Sequence, residues 1–261
     1  MHLCINPTWK CQNNCMHCWL NHSIRQRPQL LNASTRPLED WIKAIKRTKP
    51  ELVDIAGGEP LLVPWIADLI ASCPETRFGL STNALSIEGV RRLTKKRLAN
   101  LISINASIHP ETRKRNYGAF FFLQVRRLVD AGYTVHCNVV DYEDTVKRAE
   151  HIIQRLNLLK VPVVVSPYEN VKELAKLSPI KLRCKAGRNH LVVGPDGLAW
   201  PCLTTLRSPY WEEYILGNWL DDDIDLSKVP NPCMLRCTDY FVLIGKHHAG
   251  DMWGVKPEQV K

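Results

Sequence analysis

No apolar run in the 261-residue sequence approaches the length of a membrane-spanning helix. The N-terminus has no charged region followed by an apolar core, so no secretory signal is read and cytoplasmic residence is expected. Internal repeats and low-complexity tracts are absent as well. Negative charge is the scarcer sign, with 26 acidic against 35 basic residues and a formal charge of +9. The densest basic pieces are Arg91, Arg92, Lys95, Lys96 and Arg97, then Arg113, Lys114 and Arg115. No stacking-aromatic or groove-reading motif accompanies them. They read as solvated helix faces and a loop, and a nucleic-acid partner has only the charge in its favour.

Cysteine is plentiful. Ten thiols in a reducing compartment do not make a disulfide framework. Seven fall into two groups, Cys11, Cys15 and Cys18, then Cys184, Cys202, Cys233 and Cys237. Cys4, Cys73 and Cys137 lie in apolar surroundings and read as small core residues. The first group is a C-x3-C-x2-C run with no fourth cysteine nearby. A structural zinc site takes four protein ligands and a catalytic one takes three plus an open position. An iron–sulfur cubane takes four ligands. One corner is therefore left for a distant residue or for a bound molecule.

Up to about Ser166 short β-branched runs alternate with helical patterns. The expected strands are His2–Asn6, Leu52–Ala56, Arg77–Ser81, Leu101–Ser107, Thr134–Val140 and Val161–Ser166. Leu38, Trp41, Ile42 and Ile45 follow one helical face opened by Pro37, and Val146, Ala149, Ile153 and Leu156 follow another. Gly132 ends the helical segment that begins at Tyr117. Six β-α units in series imply a parallel sheet with helices outside, either doubly wound or curved toward a barrel. Ligands then gather at the carboxyl ends of the strands. The cysteine run, Gly57-Gly58-Glu59-Pro60, Asn83 and Ser107 all fall on that rim. Beyond about Leu177 the pattern changes to a hairpin, His190–Val193 and Leu198–Pro201, around an Asp196-Gly197 turn. Asp221, Asp222 and Asp223 read as a solvated acidic loop.

At Cys11, Cys15 and Cys18, followed one β-α unit later by Gly57-Gly58-Glu59-Pro60, the sequence resembles the radical S-adenosylmethionine (SAM) superfamily. The resemblance implies an α/β fold, a partial (β/α)6 TIM-like barrel over residues 1–177. It implies that the three thiolates hold three irons of a [4Fe-4S] cluster and that SAM takes the fourth. Gly57, Gly58, Glu59 and Pro60 match the segment that approaches the methionine end of SAM. His17 stands where the family usually has an adenine-contacting aromatic. Ser107 is carried over as a ribose or carboxylate contact, and Asn83 and Asn138 as further SAM contacts, each of which could equally cap a neighbouring backbone group.

Residues 178–261 resemble the SPASM/twitch extension in its shorter form. Cys184, Cys202, Cys233 and Cys237 would hold a second, auxiliary [4Fe-4S] cluster, with a four-cysteine zinc site as the alternative. In sulfatase-maturing relatives an aspartate follows the cysteine that matches Cys202 and acts as base. Here Leu203 stands there. Asp239, Tyr168 and Glu169, with His247 and His248, are candidate bases by type alone. The function implied is a radical SAM oxidoreductase that cleaves SAM to a 5′-deoxyadenosyl radical and abstracts hydrogen from a peptide, with a flavodoxin or ferredoxin as electron donor. The sequence opens directly on strand one with no leader-peptide domain ahead of it, which brings an aminocyclitol-type small-molecule dehydrogenase nearly level. Nucleotide modification and a non-catalytic iron–sulfur or zinc scaffold are the remaining alternatives. Strand alternation sets Val135, Cys137 and Val139 opposite His136, Asn138 and Val140. If Asn138 faces SAM, Cys137 cannot be the hydrogen donor that an epimerase needs.

Overall fold

The computed structural model describes residues 1–18, 20, 24, 27–110, 116–167, 186–187, 189–208 and 210–229. Its first part runs β1 (His2–Ile5), α1 (Pro28–Leu31), α2 (Leu38–Thr48), β2 (Leu52–Ile55), α3 (Ile66–Ser72) and β3 (Arg77–Thr82). It continues through α4 (Ile87–Lys95), β4 (Leu101–Ser107), α5 (Tyr117–Asp130), β5 (Val135–Asp141), α6 (Thr145–Leu158) and β6 (Val163–Pro167). After these come β7 (His190–Val193), β8 (Leu198–Trp200), α7 (Leu203–Arg207), β9 (Gly217–Asn218) and β10 (Asp223–Ile224). The six expected strands are all present, shifted by at most two residues at their ends.

The sheet order is β10-β9-β8-β7-β1-β2-β3-β4-β5-β6. Strands β1 to β6 pair in parallel with their sequence neighbours, which makes the partial TIM-like barrel. The hairpin forms as expected, with Val192 opposite Trp200 and Val193 opposite Ala199. Its turn places Gly197 at φ 92°, a region that favours glycine. The hairpin is not detached from the barrel. β7 pairs in parallel with β1, from His2 opposite His190 to Ile5 opposite Val193. The division expected at residues 177 and 178 lies outside the described residues.

Period-two alternation sorts the barrel's side chains. Leu3, Ile5, Val53, Ile55, Phe78, Leu80, Ile104, Ala106, Val135, Cys137 and Val139 are buried in the main core, packed with helix residues such as Trp41, Leu69, Phe121 and Ile152. On the other face lie His2, Asp54, Ser103, Asn105 and His136, all buried, and the half-buried Asn138. Asp54 bonds the imidazole of His2. Cys137 is thus on the helix side of the sheet, and burial pushes its thiol far above the ordinary value.

α2 begins after Pro37, carries Glu39 and Asp40 in its first turn and Lys46 and Arg47 in its last, and so complements its own dipole. The acidic stretch at Asp221–Asp223 is more than a solvated loop. Asp221 accepts two bonds from Arg36 at 2.8 and 3.0 Å, Asp222 pairs with Arg47 at 3.0 Å, and Asp223 lies in β10. These exposed pairs contribute little energy each but fix where the loop returns to α2.

A second, smaller core holds Trp9, Leu20, Ile24, Leu30, Val192, Trp200, Leu206 and Trp211. It joins the segment around the first cysteine run to the hairpin and α7. Arg27 adds a polar clasp, donating to the carbonyls of Leu206 at 2.6 Å, Ser208 at 2.7 Å and Arg207 at 3.2 Å. Trp200 is fully buried and its indole N–H donates to the Trp211 carbonyl at 3.1 Å. Trp200→Ala is expected to cost about 3–5 kcal/mol in urea unfolding. Leu158→Ala, at a side chain 84% exposed on α6, serves as the control and is expected to change stability by about 0.5 kcal/mol or less.

Candidate functional site

The carboxyl end of β1 leads through Thr8, Trp9 and Lys10 into the cysteine run. The next rim segment, Gly57-Gly58-Glu59, lies directly against it. Gly58 N–H donates to the Thr8 carbonyl and Glu59 N–H to the Lys10 carbonyl, both at 2.8 Å. The glycines are required by this close approach. A Cβ at Gly57 would stand 2.5 Å from the Thr8 oxygen, and one at Gly58 2.2 Å from the Lys10 oxygen. The two N–H groups therefore serve the cysteine loop.

Glu59 has no exposed surface. Its carboxylate accepts from the Thr82 hydroxyl at 2.6 Å, the Asn83 backbone N–H at 2.7 Å and the Leu61 backbone N–H at 3.0 Å. Burial raises its pKa, and the three donors oppose that rise. The last of these bonds caps the short 3-10 turn Pro60–Leu62. Asn83 in turn reaches the cysteines. Its Nδ2 stands 3.6 Å from Cys11 Sγ, and its Oδ1 accepts from Gln12 at 3.0 Å and from Leu85 N–H at 2.9 Å.

Cys11, Cys15 and Cys18 share one loop. The Asn13 N–H donates to Cys11 Sγ at 3.4 Å, and the Cys18 N–H to the Cys15 carbonyl at 3.1 Å. Burial pushes the Cys11 thiol up, and the hydrogen bonds from Asn13 and Asn83 oppose that rise. Metal binding would take the protons from these thiols, and three thiolates are a donor set suited to soft metal. Cys15 Sγ lies 3.3 Å from His109 Nδ1. The His109 and His17 rings stack at 5.7 Å, and Tyr142 lies 6.1 Å beyond His17. His17 and Tyr142, with Thr145 and Arg148, line a small pocket open to solvent.

Further along the rim, Ser107 and Asn138 are register partners on β4 and β5. The oxygens Asn138 Oδ1 and Asn105 Oδ1 are buried and have no partner among the described residues. The structure thus gathers Cys11, Cys15, Cys18, His17, Gly57–Pro60 and Asn83 at one end of the sheet, with Ser107 and Asn138 beside them. His109 was not singled out by the sequence, although it stands two residues beyond Ser107 on the same rim.

Cys202 is buried and begins α7, with Leu203 as the first helical residue. Ala186 packs against it, and Gly187 N–H reaches the Pro201 carbonyl at 3.2 Å. Cys184, Cys233 and Cys237 lie outside the described residues, as do Tyr168, Glu169, Asp239, His247 and His248. Among the described residues no helix is long and apolar enough to cross a membrane.

No family model matches the chain. An uncharacterised protein of Archaeoglobus fulgidus is 32% identical over 128 residues, 48% of this chain and 30% of that protein. Among solved structures, Streptococcus suis SuiB bound to the precursor peptide SuiA aligns with a TM-score of 0.65 at 17% identity, over 88% of this chain and 65% of SuiB. Native anSMEcpe with bound AdoMet and the Cp18Cys peptide aligns with a TM-score of 0.61 at 14% identity, over 94% of this chain and 88% of that one. At these identities the likeness is one of fold. The chain spans under a third of the Archaeoglobus protein and just under two thirds of SuiB.

Two outcomes follow from this geometry. Gly58→Ala drives a Cβ into the Lys10 carbonyl. It is expected to cost about 1–3 kcal/mol and to lower iron uptake by the cysteine loop, measured by urea unfolding and iron assay. His136 is the second case, because burial pushes its imidazole down from 6.5 to about 4. The unfolded chain then takes up a proton at a pH where the folded chain does not. Stability should fall as pH drops from about 6.5 toward about 4, and His136→Gln should flatten that part of the urea-unfolding profile.

Proposed function

We propose that this chain, which has the partial-barrel fold of the radical SAM enzymes SuiB and anSMEcpe, is itself a radical SAM oxidoreductase. The observation that carries the reading is the cysteine loop at the carboxyl rim, held by Gly58 and Glu59 and faced by side-chain donors at Cys11 and Cys15. Cys11, Cys15 and Cys18 would hold a [4Fe-4S] cluster with one iron free of protein ligands. When bound, cluster and SAM supply the electron and the 5′-deoxyadenosyl radical that takes hydrogen from a substrate carbon.

The chain's own residues do the positioning. The Gly58 and Glu59 N–H groups are taken by the Thr8 and Lys10 carbonyls, which leaves the Gly57 and Gly58 carbonyls for the ammonium of SAM. His17 and Tyr142 line an open pocket and offer aromatic rings against which adenine would stack. Ser107 offers a hydroxyl to the ribose or carboxylate, and the Asn138 amide oxygen, without a partner among the described residues, offers an acceptor to a ribose hydroxyl. The burial of Glu59 shields its carboxylate from any ligand, so its part is to hold β2 and β3 together.

Cys202 would join Cys184, Cys233 and Cys237 on an auxiliary cluster. The packing of Ala186, two residues beyond Cys184, against Cys202 supports the first pairing. With Leu203 after Cys202, a base for the oxidation must come from elsewhere. A peptide substrate is favoured because SuiB and anSMEcpe both hold peptides in structures of this fold. A flavodoxin- or ferredoxin-type donor would supply the electron.

Anaerobic reconstitution should give about eight irons and eight sulfides per chain, and SAM with a reductant should release 5′-deoxyadenosine. A chain that takes up iron without cleaving SAM would be a scaffold, and zinc in the C-terminal site would overturn the auxiliary cluster. Alanine at Cys11, Cys15 and Cys18 together should abolish cleavage. Alanine at Cys233 and Cys237 should leave uncoupled cleavage in a folded chain while substrate oxidation is lost. A folded Cys233/Cys237 variant that cannot cleave SAM would instead make the auxiliary site the electron entry.

A further inference from the structure

The three sulfurs of the cysteine loop are not surrounded alike. Cys11 Sγ faces two donors, the Asn13 backbone N–H at 3.4 Å and Asn83 Nδ2 at 3.6 Å. Cys15 Sγ faces His109 Nδ1 at 3.3 Å. No side-chain or backbone donor reaches Cys18 Sγ among the described residues.

Both side-chain donors are held in place from elsewhere. Asn83 gives its backbone N–H to Glu59, and its Oδ1 accepts from Gln12 and Leu85. With the oxygen committed to those two groups, the NH2 end is the one that faces Cys11. His109 gives its backbone N–H to Tyr117 Oη at 2.6 Å, and its ring is stacked on His17. A thiolate bound to metal is an acceptor only, so the Nδ1 that faces it carries the hydrogen.

We propose that Asn83 and His109 are positioning residues that set the reduction potential of the cluster on Cys11, Cys15 and Cys18, by donating N–H hydrogen bonds to two of its three thiolates. The inference rests on the cluster reading above. Hydrogen bonds to cluster sulfurs are one of the levers by which a protein sets such potentials. An added electron increases the negative charge on the sulfurs, so a donor stabilises the reduced cluster more than the oxidised one. Removing the donor makes reduction harder. The electron comes from an external reductant, and no bond to the cluster forms or breaks.

The test uses the full chain, reconstituted anaerobically with iron and sulfide and titrated with dithionite while the reduced cluster is followed by electron paramagnetic resonance. A reduced-cluster signal in the unaltered protein that changes when SAM is added is the check on the cluster reading. Its absence would sink that reading and this inference with it. Given that signal, His109→Phe should lower the one-electron reduction equilibrium roughly tenfold, about 59 mV, at unchanged iron content and SAM binding. His109→Gln, which keeps an amide N–H, should recover part of the loss. Asn83→Asp keeps the oxygen that serves Gln12 and Leu85 but replaces the donor with a charge, and should lower the equilibrium further.

Midpoints equal to that of the unaltered protein in folded, iron-replete variants would overturn the proposal. Should His109→Phe fail to hold iron, pulsed resonance of the unaltered protein with ¹⁵N-labelled histidine decides. A weak histidine-nitrogen coupling through the sulfur is expected. No coupling, or the strong coupling of a direct iron ligand, would overturn it.

Discussion

A carboxylate taken wholly out of water must be matched by hydrogen-bond donors, or the chain loses several kcal/mol. Glu59 is such a group, and its three donors come from the ends of two different strand-to-helix connections. Its own backbone N–H is bound to Lys10, at the mouth of the cysteine loop. One residue therefore ties together the ends of β1, β2 and β3. The consequence reaches the sulfurs. Asn83 gives its backbone to Glu59, so its side chain is directed, and that side chain is the one that faces Cys11. The Thr82 hydroxyl completes the arrangement by accepting from Ala84 N–H at 2.9 Å while it donates to Glu59.

The strand that launches the cysteine loop is not an edge. β1 has β2 on one side and β7 on the other, and Asn6, just beyond its end, bonds the Val193 carbonyl through both backbone and side chain. A loop sprung from a strand paired on both sides has a firmer base than one sprung from an edge. The smaller core adds a second support. Trp9 lies just before Cys11, and Leu206 lies four residues beyond Cys202, so both cysteine-bearing stretches lean on the same apolar cluster. Arg27 links them once more by filling the carbonyls at the end of α7, at the cost of a guanidinium drawn partly out of water and pushed down in pKa by that burial.

The barrel strands were readable because alternation and helical period are local signals, and each β-α unit here obeys them. Cys137 and Asn138 fell on the faces that alternation assigns, one to the helix side and one to the inner side. The rim position of the cysteines and of Gly57–Pro60 followed from the same order of units. The partner of β7 could not be read that way, because the pairing with β1 joins residues about 190 positions apart and leaves no periodic trace. The pairing of Arg36 with Asp221, 185 residues away, is of the same kind and turned an apparently free acidic loop into a tether. The glycine pair shows a subtler limit. Two glycines announce a close backbone approach, but the sequence does not say to what, and the backbone they approach here is the chain's own, at Thr8 and Lys10.

Alternation also explains why the barrel can afford so polar an inner face. Every inward residue is backed by an outward one that packs against the helices, as Asp54 is by Val53 and Ile55, and Asn105 by Ile104 and Ala106. The apolar layer supplies the burial that holds the sheet, which frees the other face to carry His2, Asp54, Ser103, Asn105 and His136. That face is tightly fitted. A Cβ at Gly79 would meet Asp54 Oδ1 at 2.3 Å, so the carboxylate that bonds His2 has its place only because the neighbouring strand offers no side chain there. A buried amide oxygen without a partner, as at Asn105, costs about 1–3 kcal/mol unless something completes it. The outer layer therefore stabilises the fold, and the inner layer carries polar groups, of which the Asn105 and Asn138 amide oxygens have no partner among the described residues. A chain that follows the strand rule on both faces can thus separate stability from chemistry along the same strand.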